Sequence, residues 1–203
     1  MAADPDLFEV KLYFAYTSPY SYLAWAPAHA LAKSHRVRVR CVPYGVNIRR
    51  TYGNLDNTDA DRRKVRYLYL DARRIAGERG LTIFPPKKIF SCRQAFYGGL
   101  FAQQRGRFDE YSGRVFERFW RRDLDVEDPA AIGAVLAEID LDPAQFQRYA
   151  AGDARRDLDA CFAQADRDQV FGVPTFIVAG EPFWGEDRID WVIRRLDAMG
   201  LRR

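Results

Sequence analysis

Leu7-Phe8-Glu9-Val10-Lys11-Leu12-Tyr13-Phe14-Ala15-Tyr16 runs directly into Thr17-Ser18-Pro19-Tyr20-Ser21-Tyr22-Leu23-Ala24. The first ten residues are aromatic and β-branched enough for a strand. Proline is favoured at the first position of a helix, where its missing N–H would have had no partner. Pro19 therefore predicts a helix start, with Ser18 as its N-cap. Tyr22, Leu23, Trp25, Ala26, Ala30 and Leu31 follow at helical spacing, and Lys33-Ser34-His35 closes the run. Val37, Val39 and Cys41 then alternate with Arg36, Arg38 and Arg40, the two-residue period of a second strand. The chain opens as a βαβ unit whose helix begins at Ser18.

From Asp59 to Arg167 the pattern changes and no strand signal is present. Val65, Leu68, Ala72, Ile75 and Ala76 keep a helical period that Gly80 stops. Further helices are predicted around Phe96 to Phe101 and Val115 to Trp120, after Asp128-Pro129 and Asp142-Pro143, and from Leu158 to Ala165. Strand character returns at Val173-Pro174-Thr175-Phe176-Ile177-Val178. A turn follows at Ala179-Gly180-Glu181, then a short partner Pro182-Phe183-Trp184, then a helix carrying Ile189, Val192, Ile193 and Leu196. The order βαβ, helical block, ββα is that of an α/β thioredoxin-like fold split by an all-helical insertion. Residues 7–58 and 169–203 form the thioredoxin-like domain in this reading, and 59–168 the insertion. In that fold a cis-proline starts the third strand opposite the first helix, and Pro174 takes that place; a proline there breaks no ladder bond.

With 203 residues and 48% hydrophobic content, the chain suits one compact body or a core domain with an insertion. The net charge of +4 comes from arginines scattered among acids, which favours small anions and gives no nucleic-acid footprint. Cys41, Cys92 and Cys161 are widely spaced, with no Cys-x-x-Cys, so neither a zinc site nor a local dithiol is indicated. Cysteine usage of this kind suits a reducing compartment. The first residues, Met1 to Asp6, lack the features of a signal peptide, and no run of about 18 apolar residues occurs. A soluble cytoplasmic protein is expected, with no membrane partner. His29 and His35 both fall on the first helix or at its end, so a histidine-based triad has little support.

Three motifs together carry a resemblance: Ser18-Pro19-Tyr20-Ser21-Tyr22-Leu23-Ala24, Phe171-Gly172-Val173-Pro174-Thr175 and Phe183-Trp184-Gly185-Glu186-Asp187-Arg188. The chain resembles the 2-hydroxychromene-2-carboxylate isomerases. These are close relatives of the kappa-class glutathione transferases and more distant ones of the DsbA-like disulfide oxidases. The likeness runs over nearly the whole chain and includes Gly53-Asn54 and the Tyr67-Leu68 to Asp71 helix. Redox members begin the first helix with Cys-x-x-Cys. Here those positions read Ser18-Pro19-Tyr20-Ser21, and hydroxyls cannot form a disulfide. A helix N-terminus still offers unpaired amides and a positive dipole end to an anion. The resemblance implies that the anion is the thiolate of a glutathione cofactor, held by Ser18.

The same resemblance implies further roles. The backbone of Val173, before Pro174, pairs with the cysteinyl amide of glutathione. Asp187, beside Glu186, meets its γ-glutamyl ammonium, and Asn54 and Lys64 stand near its carboxylates. Arg93 falls near the substrate-side polar groups. Each position has a plainer alternative: Ser18 a simple cap, Val173 and Pro174 a rigid strand start, Glu186 and Asp187 first-turn acids, Lys64 and Arg93 solvated side chains. Tyr20 and Trp184, with Phe14 and Tyr16, are candidates to shape an apolar slot for a small aromatic carboxylate. Cys92 reads as a packing residue. Phe84 to Phe90 departs from the pattern of naphthalene-pathway isomerases, which leaves the physiological substrate open. The implied reaction is cis-trans isomerisation of an aromatic 2-oxo acid by thiolate addition and elimination, in a homodimer as is usual for the family. A transferase or peroxidase that consumes glutathione, or a non-catalytic thioredoxin-fold binding module, are the competing readings.

Overall fold

The computed structural model of the chain describes residues 7–45 and 59–203. Strand β1 (Phe8–Phe14) is followed by helix α1 (Pro19–Ser34) and strand β2 (Val37–Pro43). β1 and β2 are parallel, in register from Phe8 opposite Val37 to Phe14 opposite Pro43. Strands β3 (Thr175–Val178) and β4 (Glu181–Trp184) complete a four-stranded mixed sheet of order β2-β1-β3-β4. β1 is an inner strand, and Val10, Leu12 and Tyr13 are fully buried. Its second half, Leu12-Tyr13-Phe14, is a buried apolar run, as strands covered on both faces are, while Glu9 and Lys11 interrupt the apolar pattern nearer its start. Ala179 (φ 51) and Gly180 (φ 82) make a two-residue hairpin loop of the left-handed kind that suits twisted strands. Glu181 consequently pairs with Val178 in β4 and does not belong to the turn, as the sequence had suggested.

Six helices lie between the β parts among the described residues: α2 (Asp59–Glu78), α3 (Arg93–Gln103), α4 (Phe108–Arg121), α5 (Pro129–Ala137), α6 (Pro143–Ala151) and α7 (Ala154–Arg167). Both Asp-Pro steps are helix starts. The carboxylate of Asp128 accepts from the Ala130 N–H at 2.9 Å, and that of Asp142 from the Ala144 N–H at 2.8 Å. No helix of the described residues is long and apolar enough to cross a membrane.

The chain divides into two compact units, residues 1–68 with 163–203 and residues 69–162. The division falls inside α2 and α7. In the first unit the core comprises Leu12, Tyr13, Leu23 and Phe176, joined by Val192 and Leu196 of the last helix, α8 (Ile189–Ala198). In the second unit Phe96, Phe101, Tyr111, Phe116, Trp120 and Phe146 are buried together, with Phe101 edge-on to Phe146 at 5.8 Å. Helices α3 and α4 approach closely at Gly98. A Cβ there would lie 2.2 Å from the Tyr111 hydroxyl oxygen and 2.7 Å from an Ile132 methyl. That hydroxyl is fixed by donating to the Ala95 carbonyl at 2.9 Å. Gly98→Ala should therefore overpack the unit and cost about 2 kcal/mol. A urea melt checks this, and an unchanged midpoint would contradict the packing.

Candidate active site

β3 begins at Thr175 opposite Tyr13, so Pro174 and the turn after β1 lie at the same end of the sheet. Helix α1 starts at that end. Its first turn is closed by three hydrogen bonds. The Ser18 N–H donates to the Ala15 carbonyl at 3.1 Å, the Ala15 N–H to Ser21 Oγ at 3.3 Å, and the Ser21 N–H to Ser18 Oγ at 3.2 Å. Ser18 is the N-cap, with extended backbone and a half-buried position. Ser21 is fully buried. The fourth position of the motif is thus spent on holding the turn, a role its sequence neighbours did not announce. A hydroxyl can accept and donate at once. Ser18 can cap with a lone pair and still offer its proton to a ligand, so the cap and the ligand-donor readings do not compete.

The Val173–Pro174 peptide is cis. The segment around it is held from both sides. Thr175 Oγ1 donates to the Gly172 carbonyl at 2.8 Å, and the Gly185 N–H to the Pro174 carbonyl at 2.9 Å. No hydrogen bond from a described residue reaches the N–H or C=O of Val173. Val173 is buried, and its N–H and C=O are unpaired by the described residues, as the backbone that receives an extended peptide must be. After Gly185 comes a short 3-10 turn, Glu186–Arg188, which contacts α1. The sequence treats Glu186 and Asp187 as a pair of first-turn acids. The structure separates them, and places both ahead of α8. Glu186 is buried, whereas Asp187 is exposed and accepts from Arg188 Nη1 at 2.8 Å.

The family model of the DSBA-like thioredoxin domain matches residues 9–197. The chain belongs to this family. A 2-hydroxychromene-2-carboxylate isomerase of Pseudomonas putida is 27% identical to this DSBA-like chain over 186 residues, covering 89% of this chain and 90% of its own. A solved 2-hydroxychromene-2-carboxylate isomerase superposes with a TM-score of 0.78 at 24% identity, over 95% of this chain and 96% of its own. A probable DsbA oxidoreductase from Streptomyces coelicolor gives 0.75 at 18% identity, over 96% and 91%. The DSBA-like thioredoxin fold expected from the strand and helix order is the fold observed.

The remaining candidate residues of this DSBA-like chain fall in different places. Trp184 pairs with Thr175 across the β3–β4 ladder and meets Phe171 edge-on at 4.9 Å. Both rings are well exposed, 44% and 58%. Gly172 makes room for them, since a Cβ there would lie 2.6 Å from the Trp184 indole nitrogen. Phe171 thus joins Trp184 in an aromatic lip next to Val173. The sequence carried it inside a recognised motif but gave no reason to single it out. Tyr20 is half-buried on the first turn of α1. Phe14 and Tyr16, suggested as slot-lining rings, are instead buried in the core, edge-on to each other at 5.0 Å. Phe14 ends an inner strand, and Tyr16 packs against it from the turn that follows. Lys64 is exposed on the first half of α2, and Asn54 lies outside the described residues.

Arg93 belongs to the other unit, where it is exposed as the first residue of α3. The segment leading to it is held by Glu127, which accepts from Lys88 Nζ at 2.5 Å and from the Ser91 N–H at 2.7 Å. These two donors keep the Glu127 carboxyl below the usual range. Cys41 and Cys92 are buried. Among the described residues no group of three His, Cys, Asp or Glu is placed to hold a metal ion.

Proposed function

We propose that the chain is a glutathione-dependent isomerase of the 2-hydroxychromene-2-carboxylate type, which interconverts cis and trans forms of an aromatic 2-oxo acid. The observation that carries this reading is a serine-capped helix start at the sheet end that also holds Pro174. It occurs in a chain whose relatives bear that isomerase name along almost their whole length.

The residues suit glutathione in three respects. Ser18 has a hydroxyl proton to spare at a positive helix end. Val173 has a backbone N–H and C=O that no described residue pairs. Asp187 is an exposed carboxylate on the adjoining turn. In this reading Ser18 holds the cofactor sulfur as an anion, although a free thiol ordinarily titrates near pH 8.5, at about 8.5. Val173 pairs with the peptide backbone, and Asp187 binds the ammonium. Lys64 and Asn54 are the proposed carboxylate partners, and Glu186 adjoins Asp187 in the chain. Glutathione supplies a thiolate whose addition and departure free rotation about the substrate double bond. Tyr20 and the Phe171–Trp184 lip flank the aromatic part of the substrate. The protein acts as a cytoplasmic homodimer.

The test is to supply the cyclic hemiketal carboxylate with and without glutathione and to follow ultraviolet absorbance. Interconversion that needs glutathione, without net consumption of it, is expected. Equal rates with and without glutathione, or accumulation of a conjugate, would overturn the reading.

A further inference from the structure

Asp168 stands directly after α7 and has none of the roles assigned above. Lys11 and Tyr13 are two apart on β1 and so project from one face of the sheet. Both donate to the same Asp168 oxygen, Lys11 Nζ at 2.6 Å and the Tyr13 hydroxyl at 2.5 Å. Tyr13 is fully buried, and Lys11 and Asp168 are largely so, at 24% and 18% side-chain exposure. Burial works against the charge of Asp168. The Lys11 and Tyr13 bonds outweigh it and hold the carboxyl below its usual range.

The chain leaves this pair in a fixed direction. Gln169 has φ 57, and the Val170 N–H turns back to the Ala165 carbonyl at 2.9 Å. The Val170 carbonyl accepts from the Tyr44 hydroxyl at 3.0 Å. Tyr44 is itself set by its N–H to the Phe14 carbonyl at 2.9 Å and by an edge-on contact with Tyr13. The link between α7 and β3 is therefore tied to the sheet at two successive points before it reaches Val173.

We propose that Asp168, with Tyr44, is a positioning residue, which fixes residues 169–174 so that the Val173 backbone meets a bound peptide in register. This rests on the glutathione reading for the peptide's identity, but not for the tethering. The second tie, at Val170, lies on the link itself, between Asp168 and Val173.

The test uses the full chain with Asp168→Ala and, as a milder change that removes one hydroxyl, Tyr44→Phe. Amide hydrogen exchange is read on peptides covering 169–176, with 37–43 of β2 as the internal control. Glutathione affinity is read by calorimetry, and KM for glutathione separately from kcat. Faster exchange confined to 169–176 is expected in both variants. Affinity should weaken about fivefold, as for the loss of one hydrogen-bonded tie, with kcat at saturating glutathione within about twofold of the parent. Unchanged exchange at 169–176, or affinity within about twofold of the parent, would overturn the proposal. If Asp168→Ala does not fold, Tyr44→Phe decides by the same criteria. A parent protein that binds no glutathione would instead sink the proposed function, while the exchange arm still judges the tether.

Discussion

Ser18→Ala is expected to lower kcat/KM about a hundredfold at neutral pH while the protein stays folded. Removing one preorganised donor from a developing or bound anion costs about 10²–10³ in rate in well-studied cases. The Ser18 hydroxyl is the side-chain donor that the start of α1 offers in place of a thiol. Its loss also removes the acceptor for the Ser21 N–H, a capping cost of about 1 kcal/mol, which a stable domain tolerates. The sign of the pH effect follows from the chemistry. In the proposed site the Ser18 hydroxyl would hold the glutathione thiol below its ordinary pKa, so that the reactive anion would already be present at about pH 7. The alanine variant loses that preference, and its rate should climb as pH rises toward about 8.5. Ser18→Thr keeps both the hydroxyl and the cap, and should recover most of the activity. Rates measured from about pH 6 to 9 decide the matter. An alanine variant with parental kcat/KM and a parental pH profile would remove Ser18 from the chemistry.

The sequence made this site legible where the signal is local. Ser18 before Pro19, Asp128 before Pro129 and Asp142 before Pro143 each cap a helix, because the acceptor and the fixed proline φ sit next to each other in the chain. The βαβ opening was readable for a similar reason, since β1, α1 and β2 follow one another closely. What the sequence could not disclose is set by distant pairing. Phe14 and Tyr16 look like any aromatic residues near a site until the folded chain buries both, Phe14 at the end of a strand flanked by β2 and β3 and Tyr16 in the turn beyond it. Glu186 and Asp187 are neighbours of the same charge, yet one is buried and the other exposed, because a 3-10 turn packs against α1. The Asp168 bond to Tyr13 spans 155 positions and has no periodicity to betray it. Ser21 is the intermediate case: its place in the motif was plain, but its inward bond to Ala15 depends on how the turn closes.

Gly185→Ala should be the most damaging small substitution near the site, for two reasons that add at one atom. Gly185 has φ 125 and ψ 151, a region that is essentially glycine's own. A Cβ built on that backbone would lie 2.4 Å from Asp187 Oδ1. Rotating the backbone to relieve the strain would break the Gly185 N–H bond to Pro174, so the turn cannot simply relax. A loss of about 3 kcal/mol is expected, which for a chain of this size lowers the melting temperature by about 10 °C. Glutathione binding should weaken as well, since the displaced carboxylate is the proposed ammonium partner. Asp187→Ala separates the two effects. Asp187 is exposed and its ion pair with the adjacent Arg188 is a surface contact, so the melting temperature should barely move while affinity falls about tenfold. In the double variant the side chain that clashes is gone. The combined destabilisation should therefore be smaller than Gly185→Ala alone, a non-additivity that marks two residues in contact. If the double variant melted no higher than Gly185→Ala, the clash would be irrelevant and backbone strain would have to account for the whole loss. If Gly185→Ala itself melted with the parent, the φ 125 conformation would not be what holds Asp187 in place.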